Sequence, residues 1–286
     1  MEYRDLESPS SKYLVHNGLK SHYVDWSGDG PTALLVHGGM RTCRSFDAMA
    51  RRLNHSAHVL ALDLIGHGDS TWLEEGYTYE DRATDIHNFI TETRLENVCG
   101  IGHSMGGTAI SVLAEKNPER FDKLILMEPV MQNDKSSREM LASRLEKPRR
   151  TYENLDELRE LLQSHPVTNN WTSEVIEDVV QHETYLNHEN RIDIKWSPST
   201  NYRKVIGNED MDLKPVLKNI SLPMLLVVGG SRTSEFEEAL SLAENLDNMQ
   251  SVVIADTGHN MYMERPDAVA EVARKFMQSS PIPKIV

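Results

Sequence analysis

Short, unbroken apolar runs alternate along this chain with stretches whose apolar residues recur three or four positions apart. Thr32–His37, His58–Asp63, Val98–Ile101 and Lys123–Met127 lack polar alternation, the pattern of strands buried on both faces. Between them, Ser45–Leu53, Tyr79–Arg94 and Met105–Glu115 predict helices; in the second, Ala83, Ile86 and Ile90 fall on one side. Asn117-Pro118 stops the third. Two earlier strands, Lys12–Asn17 and Lys20–Trp26, flank an Asn17-Gly18 pair, a hairpin signal. Strand–helix alternation implies right-handed crossovers and a mostly parallel sheet. The alternation breaks between residues 131 and 207, a polar interval with helices expected at Tyr152–Gln163 and Ser173–His182 and no strong buried strand. It resumes with a strand at Met224–Gly229, a helix at Glu237–Leu246, a strand at Ser251–Ala255 and a last helix at Asp267–Gln278. The expected organisation is therefore one α/β core, residues 1–130 and 208–286, carrying an insertion at 131–207.

Charge and cysteine content narrow the function. With 44 acidic against 30 basic residues, the formal charge is -14, which argues against a general nucleic-acid binder. The two cysteines, Cys43 and Cys99, do not suggest a disulfide scaffold; Cys99 lies in an apolar run and is expected as a small core residue. The 12 histidines are scattered, with no HExxH pattern, so neither a metal nor an organic cofactor is expected. The N-terminal stretch is polar without a signal-peptide core, and no apolar run approaches the roughly 20 residues of a membrane helix. A soluble, cytoplasmic protein without a membrane or nucleic-acid partner is the expectation.

The chemistry concentrates at Gly102-His103-Ser104-Met105-Gly106-Gly107, a G-x-S-x-G pattern between a buried strand and a helix. So tight a turn strains the serine backbone, and the glycines relieve crowding. The Met105 N–H, at the helix start, has no intrahelical acceptor and is a candidate oxyanion donor. A second donor is expected from His37-Gly38-Gly39-Met40, with Gly39 the first choice and Met40 the alternative. The base should be His259, in Asp256-Thr257-Gly258-His259-Asn260 after a late strand. His37, His67 and His103 lie near the same sheet edge and are expected to pack and hold loops.

These motifs together resemble the α/β-hydrolase superfamily over nearly the full length of the chain. The resemblance rests on His37-Gly38-Gly39 after the third strand, Asp63-Leu64-Ile65-Gly66-His67-Gly68-Asp69-Ser70 after the fourth, the Ser104 turn after the fifth and Gly258-His259 after the eighth. It implies an eight-stranded, mostly parallel sheet with helices on both faces, a helical cap formed by the insertion, and a structural role for the Asp63–Ser70 block. The acid departs from the family pattern. The usual aspartate after the seventh strand falls near Arg232 or Thr233, neither of which is an anion. Some members, notably certain haloalkane dehalogenases, place it after the sixth strand, where this chain has Glu128. Glu128 is thus the first candidate, followed by Glu235; Asp256, three residues from His259, is expected to point away.

The resemblance implies a serine hydrolase acting on a small carboxylic ester or lactone. Serine at position 104 disfavours the dehalogenase and epoxide hydrolase relatives, which use an aspartate nucleophile. Three alternatives stay open: carbon–carbon bond hydrolysis of a diketo acid, with Arg41 or Arg44 holding a carboxylate; acyl transfer; and ligand binding without chemistry.

Overall fold

The computed structural model describes residues 8–74, 76–133, 149–200 and 211–286. Eight strands form one sheet: β1 (Ser10–His16), β2 (Leu19–Asp25), β3 (Thr32–Val36), β4 (His58–Leu62), β5 (Val98–His103), β6 (Phe121–Met127), β7 (Met224–Gly229) and β8 (Met249–Ile254). Their order across the sheet is β1-β2-β4-β3-β5-β6-β7-β8. The hairpin of β1 and β2 is antiparallel and β2 meets β4 antiparallel; every other pairing is parallel. All the parallel strands therefore end at one edge, where their following loops gather.

Alternate residues of the apolar strands serve opposite faces, the two-residue period of extended chain. Ala33, Leu35, Ile101, Ile125, Met127, Leu225 and Val227 join one core layer, with helices α1 (Asp47–Leu53), α8 (Met261–Glu264) and α9 (Pro266–Met277). Leu34, Val36, Leu124, Leu126, Leu226 and Val228 join the other, with α2 (Tyr79–Thr93), α3 (Met105–Lys116), α6 (Leu213–Asn219) and α7 (Glu237–Glu244). Thr78 caps α2 with a reciprocal box: the Asp81 N–H donates to Thr78 Oγ1 at 3.0 Å and the Thr78 N–H to Asp81 Oδ2 at 2.8 Å. The helix expected at Ser45–Leu53 is a 3-10 turn, Cys43–Phe46, running into α1. Cys43 and Cys99 are buried free thiols, and burial pushes Cys99 up to about 12.

Part of the 131–207 interval lies outside the described residues, namely 134–148 and 201–210. The rest holds α4 (Leu155–Ser164) and α5 (Ser173–His182). The helix expected from Tyr152 starts instead at Leu155, because Asn154 caps it by accepting the Glu157 N–H at 3.0 Å. Tyr152 is drawn into a β-bridge with Ile192. The expectation of no strong strand meets two short antiparallel ribbons, Thr184–Leu186 with Ile192–Ile194 and Gln132–Asn133 with Met211–Asp212. At two or three residues per strand they are too short to show a two-residue alternation in sequence. Leu158, Trp171, Val175, Ile176, Val179 and Val180 pack into the same apolar layer as α1 and α9.

Below the loop edge, Asp63 ties three segments together. Its buried carboxylate accepts the Cys43 N–H at 2.6 Å, the Asp69 N–H at 3.0 Å and His22 Nδ1–H at 2.6 Å. Gly68, at φ +55, leaves no room for a side chain, since a Cβ there would stand 1.9 Å from Asp63 Oδ2. This is the structural role expected for the Asp63–Ser70 block. Burial alone would raise the Asp63 carboxyl, but the His22 hydrogen bond and charge, the His37 ring and the Cys43 N–H together bring it from 3.8 down to about 2.

Two predictions follow from this packing. A Cβ on Gly106 would lie 2.3 Å from the Val36 carbonyl and 2.5 Å from that of His37, both backbone, whereas one on Gly39 meets nothing within 4 Å. Gly106→Ala is expected to cost about 1–3 kcal/mol, read as a lowered Tm, and Gly39→Ala to leave Tm unchanged. The Asp63 carboxylate is held below its unfolded value, so its contribution is full above pH 3.8 and lost as pH falls towards 2. The shift is worth about 2 kcal/mol. Asp63→Asn should be less stable at neutral pH, with the gap to the unmutated chain closing between pH 4 and 2 in acid-unfolding curves. A constant gap across that range would contradict the assignment.

Candidate active site

Ser104 occupies the turn between β5 and α3 at φ 50° and ψ -119°, a sparsely populated region for a side chain with a Cβ. The turn is fixed at both ends: the Ser104 N–H donates to the Met127 carbonyl at 2.9 Å, and its own carbonyl accepts the Thr108 N–H at 3.1 Å. A Cβ on Gly102 would meet Gly107 Cα at 2.6 Å, so the strand and helix backbones touch across the turn. Met105 is the first residue of α3; its side chain is buried in the core and its N–H belongs to the first helical turn, which has no intrahelical carbonyl to bind.

The loop after β3 passes directly beside this turn. A Cβ on Gly38 would be 3.1 Å from Ser104 Cβ and 2.7 Å from His103 Nδ1, so only glycine permits the approach. Gly39 follows, facing open space. The Met40 N–H, the alternative donor, is directed at His67 Nε2 at 3.4 Å, which favours Gly39 for any incoming oxyanion.

Of the three candidate acids, Glu128 is the one in contact with His259. His259 Nδ1–H donates to Glu128 Oε2 at 2.6 Å. Glu128 follows β6 at φ 42°, and its carboxylate is wholly buried. Its Oε1 accepts the Gly229 N–H at 2.9 Å, and Oε2 accepts a second donor, Arg232 Nε, at 2.8 Å. Glu235 is exposed and paired with Arg232 Nη2 at 2.8 Å. Asp256, at φ 57°, is exposed as well. With Nδ1 committed to the carboxylate, a neutral His259 carries its lone pair on Nε2.

The neighbouring histidines hold loops. His37 Nδ1–H donates to the Gly38 carbonyl at 2.7 Å and Nε2 accepts the Leu64 N–H at 3.1 Å. His67 Nδ1–H donates to the Ile65 carbonyl at 3.2 Å. His103 Nε2–H donates to the His259 carbonyl at 2.9 Å, and its ring lies 4.5 Å from that of His259. Burial lowers the proton affinity of all three, most strongly for His67 and His103, so they are neutral at physiological pH. Glu264 supports the base loop by accepting the Gly258 N–H at 2.9 Å, and its own carboxyl is raised by burial.

Arg41 and Arg44 do not sit on a solvent face of a helix. Arg41 pairs with the buried Glu183 at 3.1 Å and lies over the Trp171 ring; Arg44 pairs with the buried Asp47 at 2.6 Å. Two groups of potential metal ligands cluster among the described residues, His22 with Cys43 and Asp63, and Asp47 with Asp178 and His182. In both, protein donors already engage the carboxylates: Asp63 through His22 and two backbone N–H groups, Asp47 through Arg44 and Asp178 through Arg51. No helix among the described residues is long and apolar enough to cross a membrane.

Sequence reasoning identified Arg232 only as a residue unable to replace an aspartate, and did not find its bond to Glu128. Glu264 was missed. The usable signal for the first was a cation at the end of the strand next to the one that carries the relocated acid.

The chain is also similar to known proteins. An uncharacterized protein of Mycobacterium tuberculosis is 28% identical over 124 residues, which span 43% of this chain but only 36% of that protein. Esterase YbfF of Escherichia coli is 23% identical over 247 residues, 85% of this chain and 92% of the esterase. The crystal structure of E-2-(acetamidomethylene)succinate hydrolase superposes with a TM-score of 0.83 at 19% identity, over 96% of this chain and 100% of that one. A profile of the alpha/beta hydrolase family matches residues 33–272, and the chain belongs to that family.

Proposed function

We propose that this alpha/beta hydrolase is a serine esterase that cleaves a small carboxylic ester or lactone through an acyl-enzyme. The observation that carries the reading is the 2.6 Å bond from His259 to a wholly buried Glu128, on the same sheet edge as the strained Ser104 turn. Glu128 holds the imidazole in the tautomer whose Nε2 accepts the Ser104 proton and stabilises the imidazolium that forms. Ser104 Oγ attacks the carbonyl carbon, and the resulting oxyanion is held by the N–H groups of Gly39 and Met105. His259 returns the proton to the leaving alcohol. Water, deprotonated by the same histidine, then releases the acid. The insertion at 131–207 serves as a cap over this edge and shapes the acyl pocket.

The engagement of Arg41 by Glu183 and of Arg44 by Asp47 favours an ester over a diketo acid, whose carboxylate needs an uncommitted cation. The E. coli relative named as an esterase supports the same choice.

The test is hydrolysis of p-nitrophenyl esters of increasing acyl length. Ser104→Ala is expected to lower kcat by about 10⁶-fold. Glu128→Gln, which keeps the shape but loses the anion, is expected to lower kcat by about 10⁴-fold. Full activity in Ser104→Ala sinks the serine mechanism. Unchanged activity in Glu128→Gln removes the acid role from that residue while leaving the nucleophile in place.

A further inference from the structure

At the loop edge, four adjacent strands present four residues in spatial order. Ser104 follows β5, Glu128 follows β6, Arg232 lies in the turn Gly230–Arg232 after β7, and His259 follows β8. The family's usual aspartate position falls near Arg232 or Thr233, so a cation lies where the resemblance leads one to expect an anion. That cation is not a bystander. Its Nε binds Glu128 Oε2 at 2.8 Å, the same oxygen that receives His259 Nδ1–H at 2.6 Å. Its Nη2 binds Glu235 Oε2 at 2.8 Å, and the guanidinium lies 5.9 Å from the Phe236 ring centre.

A carboxylate with no exposed surface requires compensating donors. Glu128 has three, and two of them compete for one oxygen. A guanidinium on that oxygen fixes the carboxylate plane, because the planar donor admits few orientations. It also offsets part of the negative charge facing the imidazole and places a positive charge near it.

We propose that Arg232 is a positioning residue which holds Glu128 in place and weakens the pull of its carboxylate on His259. The inference rests on the serine hydrolase reading above. The other charged and titratable groups around His259 are His103 from β5, which burial keeps neutral, Glu264 beneath the base loop, and Glu235 behind Arg232. Of these three, Glu235 is the one paired with the guanidinium, so it dilutes the effect of Arg232. Arg232 and Glu235 therefore act in opposite directions on the same histidine.

The experiment follows the rate of Ser104 phosphonylation by an alkyl fluorophosphonate against pH, using the full chain. In this reaction the Oγ–P bond forms and the P–F bond breaks; the Oγ proton passes to His259 and fluoride leaves into water. No knowledge of the natural substrate is needed. In Arg232→Gln the acid limb of the rate profile is expected to move to higher pH by about one unit. In Arg232→Lys, which keeps the charge, it should stay nearer the unmutated curve. In Glu235→Gln, a change at an exposed side chain, it should move to lower pH. Thermal melting accompanies each variant, and Glu235→Gln carries the test if Arg232→Gln does not fold. A rate reduced by one factor at every pH in Arg232→Gln, with its acid limb unmoved, overturns the proposal, as does an unmoved limb in Glu235→Gln. Absence of label on Ser104 in the unmutated chain, by peptide mapping, overturns the underlying serine reading instead.

Discussion

A wholly buried carboxylate cannot stand alone in a protein interior, and the arrangement of this site follows from how Glu128 is satisfied. Its donors come from the end of β7, from the turn after β7 and from the loop after β8. One side chain thus binds two neighbouring loops to the end of β6. The reach is considerable: β6 and β8 are separated by β7, so two inter-strand spacings of about 4.8 Å lie between them. Glutamate, one methylene longer than aspartate, suits that crossing. The loops approach closely as well, since a Cβ on Gly229 would stand 2.3 Å from the Gly258 carbonyl. Backbone contact fixes the loop before His259, and the buried carboxylate engages its Nδ1.

The remaining parts of the edge are arranged around neutral rings and short backbone distances. His37, His67 and His103 each have a ring nitrogen committed to a carbonyl, and burial keeps them uncharged. A charged imidazole at any of these positions would repel the imidazolium expected on His259. Neutral rings hold the loops without that repulsion and exclude water, which strengthens the bonds that remain. His103 Nδ1 is buried with no hydrogen-bond partner, and the closeness of Gly38 is what shields it.

The framework was legible because strands buried on both faces appear as unbroken apolar runs, and because the Ser104 and His259 turns sit where such runs end. Glu128 could be placed as a candidate through the family resemblance, which allows the acid after the sixth strand, and the structure brings it to 2.6 Å from His259. Its bond to Arg232 could not be read, since the two residues are 104 positions apart and meet only through the β6–β7 pairing. The short ribbons at Thr184–Leu186 and Ile192–Ile194 were illegible for a different reason: three residues give no periodicity to detect. The start of α4 was misjudged because Tyr152 is apolar and in phase with the helix, yet the Asn154 cap and the Ile192 bridge claim the residues before it.

Charge also explains how the inserted segment is held against the core. Arg51 and Arg52 of α1 reach Asp178 and Glu174 of α5, and Arg52 extends to Asp267 of α9 at 2.7 Å. Beneath them, burial raises Asp47 to about 7 against the opposing pull of Arg44. Surface ion pairs contribute little, but this set is a partly buried network laid over an apolar contact. Arg41 extends the same logic towards the site: its guanidinium lies over Trp171 and against Glu183, two residues of the inserted segment. A cation spent in this way fastens the insertion to the loop that carries Gly39. For such a residue to bind a substrate carboxylate, the ion pair with a buried glutamate would have to separate, leaving that glutamate with the Thr42 N–H but without the cation. Holding the insertion in place and recruiting an anionic substrate are therefore competing uses of Arg41, and the burial of Glu183 favours the first.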